Sequence, residues 1–185
     1  MNVPALLLAL TLSPSAPPPC WIRGDPADLQ LRISPLDSAV TTLGADTVTL
    51  CYSRPRKLGR PVMGRLVPFG QPWRLGANEA TTLHTPVPLR VGNVPVAPGS
   101  YSLYAIPDSA QWRIVVNSGV GRWGIPISDE VRREDLGETA VPVERVREAV
   151  EMFTMRFERI GADALELVIE WERTRVRVPI RRGAP

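Results

Sequence analysis

Twenty prolines and fourteen glycines are spread along the whole 185-residue chain instead of gathering in one tract. Proline removes the amide donor a helix interior needs, and glycine costs backbone entropy, so a chain punctuated this way is expected to form short elements joined by turns. The length fits one domain, and an apolar content of 44% is enough to fill a core. An all-β chain is the first expectation.

Charge excludes little beyond nucleic acid. The formal net charge is +3, and all but Lys57 of the 22 basic residues are Arg. That skew, with abundant Ala, Pro, Val and Gly, reads as the composition of a GC-rich genome. It does not form the clustered basic face of a nucleic-acid module.

Val3 to Leu12 is an apolar run too short for a membrane helix, which needs ~20 residues. It suits the apolar region of a signal peptide, and Ser13-Pro14-Ser15-Ala16 supplies small residues that make Ala16 the expected last residue of the leader. The n-region carries no Lys or Arg. The expected organisation is a leader over 1–16, an arm over 17–32 and a β-domain over 33–181, exported to the periplasm or beyond, with no span in the mature chain. Cys20 follows three prolines and lacks a lipoprotein box, which disfavours lipidation. Cys20 and Cys51 can form a disulfide in an oxidising compartment. One His and two Cys without paired spacing leave no standard zinc site, and no cofactor is called for.

Strands follow from period-two alternation. Trp21 to Leu43 reads as an arm, with Ser34 to Ser38 a turn or lead-in. Val48, Leu50 and Tyr52 alternate with Thr47, Thr49 and Cys51. Thr81 to Val91 continues in the same manner to Gly92-Asn93, a hairpin signal, and Val94 and Val96 return. Tyr101, Leu103 and Ala105 lead through Pro107 to Ala110 into Trp112, Ile114 and Val116. Gly119 to Ser128 is expected to be a loop and Asp129 to Glu134 a solvated turn.

Residues 135–150 are ambiguous: Val143, Val146 and Val150 fit helical spacing, whereas Val141-Pro142-Val143 favours an extended edge. Phe153, Met155 and Phe157 alternate again, and Gly161 to Asp163 turns into Leu165, Leu167, Ile169 and Trp171. Thereafter Thr174, Val176, Val178 and Ile180 put the apolar face on even positions, so a bulge near Glu172-Arg173 must switch the parity. The outward Glu and Arg residues of this last strand read as a solvated face with cross-strand pairs. Some eight strands with turns about every ten residues predict an antiparallel β-sandwich or jelly roll with few or no helices.

Between Thr47 and Asn78 there is no acid, while Arg54, Arg56, Lys57, Arg60, Arg65 and Arg74 are all present. Pro55, Gly59, Pro61, Gly64, Pro68, Gly70 and Pro72 exclude a helix there, and long structured loops inside compact domains tend to be functional. Val62, Met63, Leu66, Val67, Phe69 and Trp73 predict that this loop packs down on the body.

Y-S-R-P at Tyr52, L-V-P-F-G at Leu66, W-R-L-G-A-N-E-A-T at Trp73, A-P-G-S-Y-S-L at Ala97 and L-V-I-E-W-E at Leu167 together resemble the bacterial family known as domain of unknown function 2911. The resemblance runs over roughly Ile33 to Ile180. It implies an exported protein with no assigned activity, and a strand followed by a connection over 135–150. Cys51 departs from it, standing where a polar or acidic residue is expected.

Three functions remain open on these residues. The first is a binding or accessory module of the cell envelope for a small polar ligand or sugar, with Arg54, Trp73, Arg74, Asn78, Glu79 and His84 as its site. Arg offers a planar fork to carboxylate or phosphate, Asn a donor and an acceptor, and Trp an apolar wall. Equally, Arg74 could pair with Glu79 and Asn78 cap a turn, fastening the loop. The second is a structural or envelope-protein interaction domain. The third is a hydrolase using Glu79; no nucleophile motif and no second nearby carboxylate supports it, so no catalytic residue is assigned.

Overall fold

The computed structural model of the chain describes residues 20–183, so the expected leader lies outside the described residues. The arm makes one 3₁₀ turn, Pro26–Leu31, capped by the Asp25 carboxylate, which accepts from the Ala27 amide. Nine strands follow: β1 Leu36–Leu43, β2 Asp46–Ser53, β3 Thr81–Thr85, β4 Leu89–Val91, β5 Val94–Val96, β6 Gly99–Pro107, β7 Gln111–Asn117, β8 Asp135–Arg159 and β9 Ala164–Arg182. A four-residue helix, α1 Asp129–Arg132, stands where the sequence predicts a solvated turn, and none of its residues is buried.

All pairings are antiparallel, in the order β1-β2-β3-β6-β7-β8-β9-β4-β5. The chain is thus an all-β single domain. The sheet has two parts, β1-β2-β3-β6-β7 and β9-β4-β5, joined by β8, which pairs with β7 over Gln111↔Pro142 to Asn117↔Asp135 and then with β9 from Val143↔Val176 onward. Residues from both parts meet in one apolar core, including Leu50, Leu83, Leu103 and Ile114 from one and Leu167, Ile169, Val178 and Val91 from the other.

Two local devices let long strands serve both parts. The β8–β9 register shifts between Arg145 and Thr154. Opposite this, Glu172 takes a positive φ of 56°, which places Trp171 and Thr174 inward with two outward residues between them. This is the parity switch the sequence predicts, produced by a bulge. The same irregularity explains residues 135–150. They are continuous strand, with no separate connection, and the helix-like spacing of Val146 and Val150 reflects a twisted, shifting stretch whose exposed faces are not strictly alternate.

The sequence treats 36–43 as part of an arm, yet β1 pairs with β2 along its full length. Its inward positions are Asp37, Ala39, Thr41 and Leu43, small or polar except the last, so the apolar alternation that marks a strand is missing. An edge strand with one partner needs less of it.

The long loop between β2 and β3 is packed as expected at Val62, Val67 and Leu75, which are buried. Leu66 and Phe69 stay exposed, and the Phe69 ring lies against Gly64. Glu172 also fastens this loop, its carboxylate accepting from the Val62 and Met63 amides at 3.2 Å each. The bulge therefore does two tasks, changing the strand's phase and turning an acceptor toward the loop.

Candidate functional site

The W-R-L-G-A-N-E-A-T segment enters β3 alongside β6. Trp73 and Ala105 exchange backbone hydrogen bonds of 2.7 and 2.8 Å, and both point into the core. Trp73 stacks on Trp171 at 5.9 Å between centroids and meets Phe153 and Trp112 edge-on at 5.2 and 5.7 Å. Because side chains alternate along extended backbone, Arg74 falls on the opposite, outer face of the sheet. There it lies under Gly124, where a Cβ would come within 2.4 Å of the Arg74 Cδ.

The chain then reverses. Leu75 and Asn78 take positive φ values of 51° and 58°, and Thr81 Oγ1 donates to the Leu75 carbonyl at 2.6 Å. Asn tolerates this backbone better than most residues. Its Nδ2 donates to Ser34 O at 3.0 Å, while its own carbonyl accepts from Gly124 N at 2.8 Å.

Glu79 is 4% exposed. One carboxylate oxygen accepts from the Arg23 amide at 2.9 Å and the other from Arg32 Nη1 at 2.8 Å. The expected alternative of an Arg74–Glu79 pair is therefore corrected: Glu79 pairs with Arg32. The reversal at Leu75 to Asn78 sends Arg74 beneath the loop at Gly124 and turns Glu79 toward the arm.

Arg54 spends its guanidinium on Asp37 at 3.0 Å, Thr154 at 2.9 Å and the Phe153 carbonyl at 3.1 Å, clamping the start of the loop between β1 and β8. Cys20 and Cys51 are joined in a disulfide with Cα atoms 5.5 Å apart, fixing the arm to β2. Of the six sequence-predicted binding residues, Arg54, Asn78 and Glu79 thus bond to the chain itself, and Trp73 packs with the core aromatics.

Arg74 and His84 differ. Arg74 Nε is buried without a hydrogen-bond partner, and no carboxylate pairs with this side chain among the described residues. Burial lowers the pKa of its guanidinium, the mark of a cation removed from water without compensation. His84 Nδ1 meets Ser100 Oγ at 2.7 Å, but Nε2 is buried and unpartnered.

Directly across from His84 on β2 is Thr49, whose hydroxyl is also unpartnered. Two residues along the same face, Ser102 receives Arg122 Nη2 at 3.2 Å and donates to Asn117. Arg122 Nε is again without a partner. Burial lowers the Arg122 pKa although Glu134, Tyr104 and Asp135 oppose it.

The outer face of β2, β3 and β6 is therefore a buried polar layer carrying several unused donors. Sequence reasoning passed over Thr49 and Arg122. Thr49 read as the polar phase of a strand, and Arg122 sat in a stretch recognised only as a loop.

His84 is the single histidine. Burial lowers its pKa below the ordinary value. The unfolded chain, titrating near ~6.5, then binds more protons than the folded one below that pH, so stability is full above it and falls on acidification. Thermal unfolding should show a midpoint that drops between about pH 7 and pH 5, and His84→Gln should flatten most of that drop.

Elsewhere, the charged face of β8 and β9 neutralises itself. Arg177 bonds Glu158 at 2.6 Å and Glu166 at 2.9 Å. Burial alone would raise the Glu170 carboxyl, but hydrogen bonds from Arg156 and Arg175 hold it below its usual range. Cross-strand pairing is the bland reading the sequence favours for this face. Among the described residues no three metal-ligating side chains come together, and no helix is long and apolar enough to cross a membrane.

Fold and site define a single antiparallel β-domain, stapled by a disulfide that suggests a non-cytoplasmic setting, with a polar layer on one sheet face. The sequence profile described as protein of unknown function (DUF2911) matches residues 34–180, and the chain belongs to that family. No curated protein and no solved structure matches it.

Proposed function

We propose that the chain is an exported binding module of the cell envelope whose ligand is small, polar and anionic. The observation that carries this reading is Arg74: a half-buried guanidinium with an unpartnered Nε, held where the W-R-L-G-A-N-E-A-T segment enters the sheet. A cation removed from water without a counter-charge is costly, and a carboxylate or phosphate in the planar fork would offset that cost. Arg122 and Thr49 would add donors on the same face, and the free ring nitrogen of His84 a further polar contact. The disulfide supports the exported setting.

A second reading, a structural or interaction domain, is favoured by Glu79 and Asn78, which spend their polar groups on fastening the chain. The two readings predict opposite results for Arg74→Gln. A thermal-shift series with phosphate, sugar phosphates, dicarboxylates and neutral sugars should give a rise for an anionic compound, about 2.7 kcal/mol at a hundredfold excess over Kd. Arg74→Gln should stay folded, become no less stable without ligand, and lose the rise. If no anion shifts the wild-type protein, the structural reading stands instead.

A further inference from the structure

The Glu79 carboxylate is held by two residues of the arm, and the arm precedes the family match at residue 34. The receiving side belongs to the domain. Glu79 and Trp123 face each other in an isolated antiparallel bridge, flanked by Ala80 N to Arg122 O at 3.1 Å and Gly124 N to Asn78 O at 2.8 Å. Partners in such a bridge project to the same side, so carboxylate and indole are set side by side by domain backbone alone.

The occupant has the chemistry of a bound peptide. Arg32 Nη1 meets one Glu79 oxygen while its Nη2 donates to the Arg23 carbonyl at 3.0 Å. The Arg23 amide meets the other oxygen, and the Arg23 guanidinium lies 5.6 Å from the Trp123 ring centroid. A buried carboxylate beside an aromatic face recognises guanidinium by charge, paired hydrogen bonds and cation–π attraction.

The arm buries little else. No residue of its 3₁₀ turn is buried, and Leu31 and Ile33 are 80% and 82% exposed. Its fixed points are the Cys20–Cys51 bond and the Glu79 contacts.

We propose that Glu79 and Trp123 form a binding site for an arginine-bearing peptide segment, and that this chain fills the site in cis with its own disulfide-tethered arm. The Cys20–Cys51 bond at one end and the peptide link to β1 at the other keep the effective concentration of the arm high, so a segment supplied in trans competes only when the arginines are gone. This inference does not involve Arg74, and its failure leaves the anion reading untouched.

The test uses the full chain carrying Cys20→Ser, Cys51→Ser, Arg23→Ala and Arg32→Ala, with a labelled synthetic peptide spanning Trp21 to Ser34. Fluorescence anisotropy should report binding to this variant. A tenfold or greater loss, about 1.4 kcal/mol or more, should follow when Glu79→Gln is added or when both peptide arginines become alanine. Oxidised wild-type protein should not bind the peptide. Equal binding with and without Glu79, or none to the alanine variant, overturns the proposal. Should that variant not fold, the chain carrying only Arg23→Ala and Arg32→Ala, its disulfide intact, decides: the peptide must bind to it and not to the wild-type chain, and a folded double variant that ignores the peptide refutes the site.

Discussion

Trp73→Ala should lower the unfolding free energy by about 3 kcal/mol, the lower end of the range for removing a large aromatic from a core. Its ring is the one that touches all of Trp112, Phe153 and Trp171, so its loss leaves a cavity bounded by three rigid side chains that cannot close over it. The lower end applies because the indole is not fully enclosed. The backbone pairing with Ala105 survives the substitution, so the deficit measures packing alone. Leu66→Ala, in the same loop but with a side chain that is 43% exposed, should cost less than about 0.5 kcal/mol. Chemical denaturation of both variants checks the contrast, and similar losses would mean that the loop, not the aromatic group, is what Trp73 supports.

Gly76→Ala should be comparably damaging, at about 3 kcal/mol, for a different reason. Gly76 has a φ of 136°, and a Cβ there would stand 2.6 Å from the backbone carbonyl oxygen of Ser53. Both the backbone conformation and the approach of β2 exclude a side chain. Gly59 separates the two contributions, since it also has a positive φ, 72°, but nothing lies within 4 Å of its Cβ position. Gly59→Ala should therefore cost only about 1–2 kcal/mol. If denaturant midpoints for the two alanine variants coincide, the close approach to Ser53 contributes nothing.

Much of the fold was legible because apolar alternation is a local signal. It marked β2, β3, β6, β7 and β9, and the change of phase at Glu172 was readable from Trp171 and Thr174 alone. β1 was missed because an edge strand with Asp37 and Thr41 turned inward lacks that signal. The continuity of β8 was missed because a register shift makes a strand's exposure irregular, which in sequence resembles a helix. For the site, the motif was visible but its pairings were not. Arg74 and Glu79 are five residues apart, yet Glu79 finds its partner 47 residues away in Arg32, and no spacing rule reports a contact that depends on where a tethered arm lies.

Pro95 occupies the middle of β5, the last strand of the ladder, opposite Arg90. Val91 and Val94 flank the two-residue turn and form the hydrogen-bonded pair, so the next pair along points its amide positions away from the hairpin. The absent proline donor therefore falls on the free rim, where an incoming strand would seek it. Lateral growth of the sheet by another polypeptide is opposed on that flank, and on β1 at the far end the Arg159 guanidinium already occupies the Thr42 carbonyl.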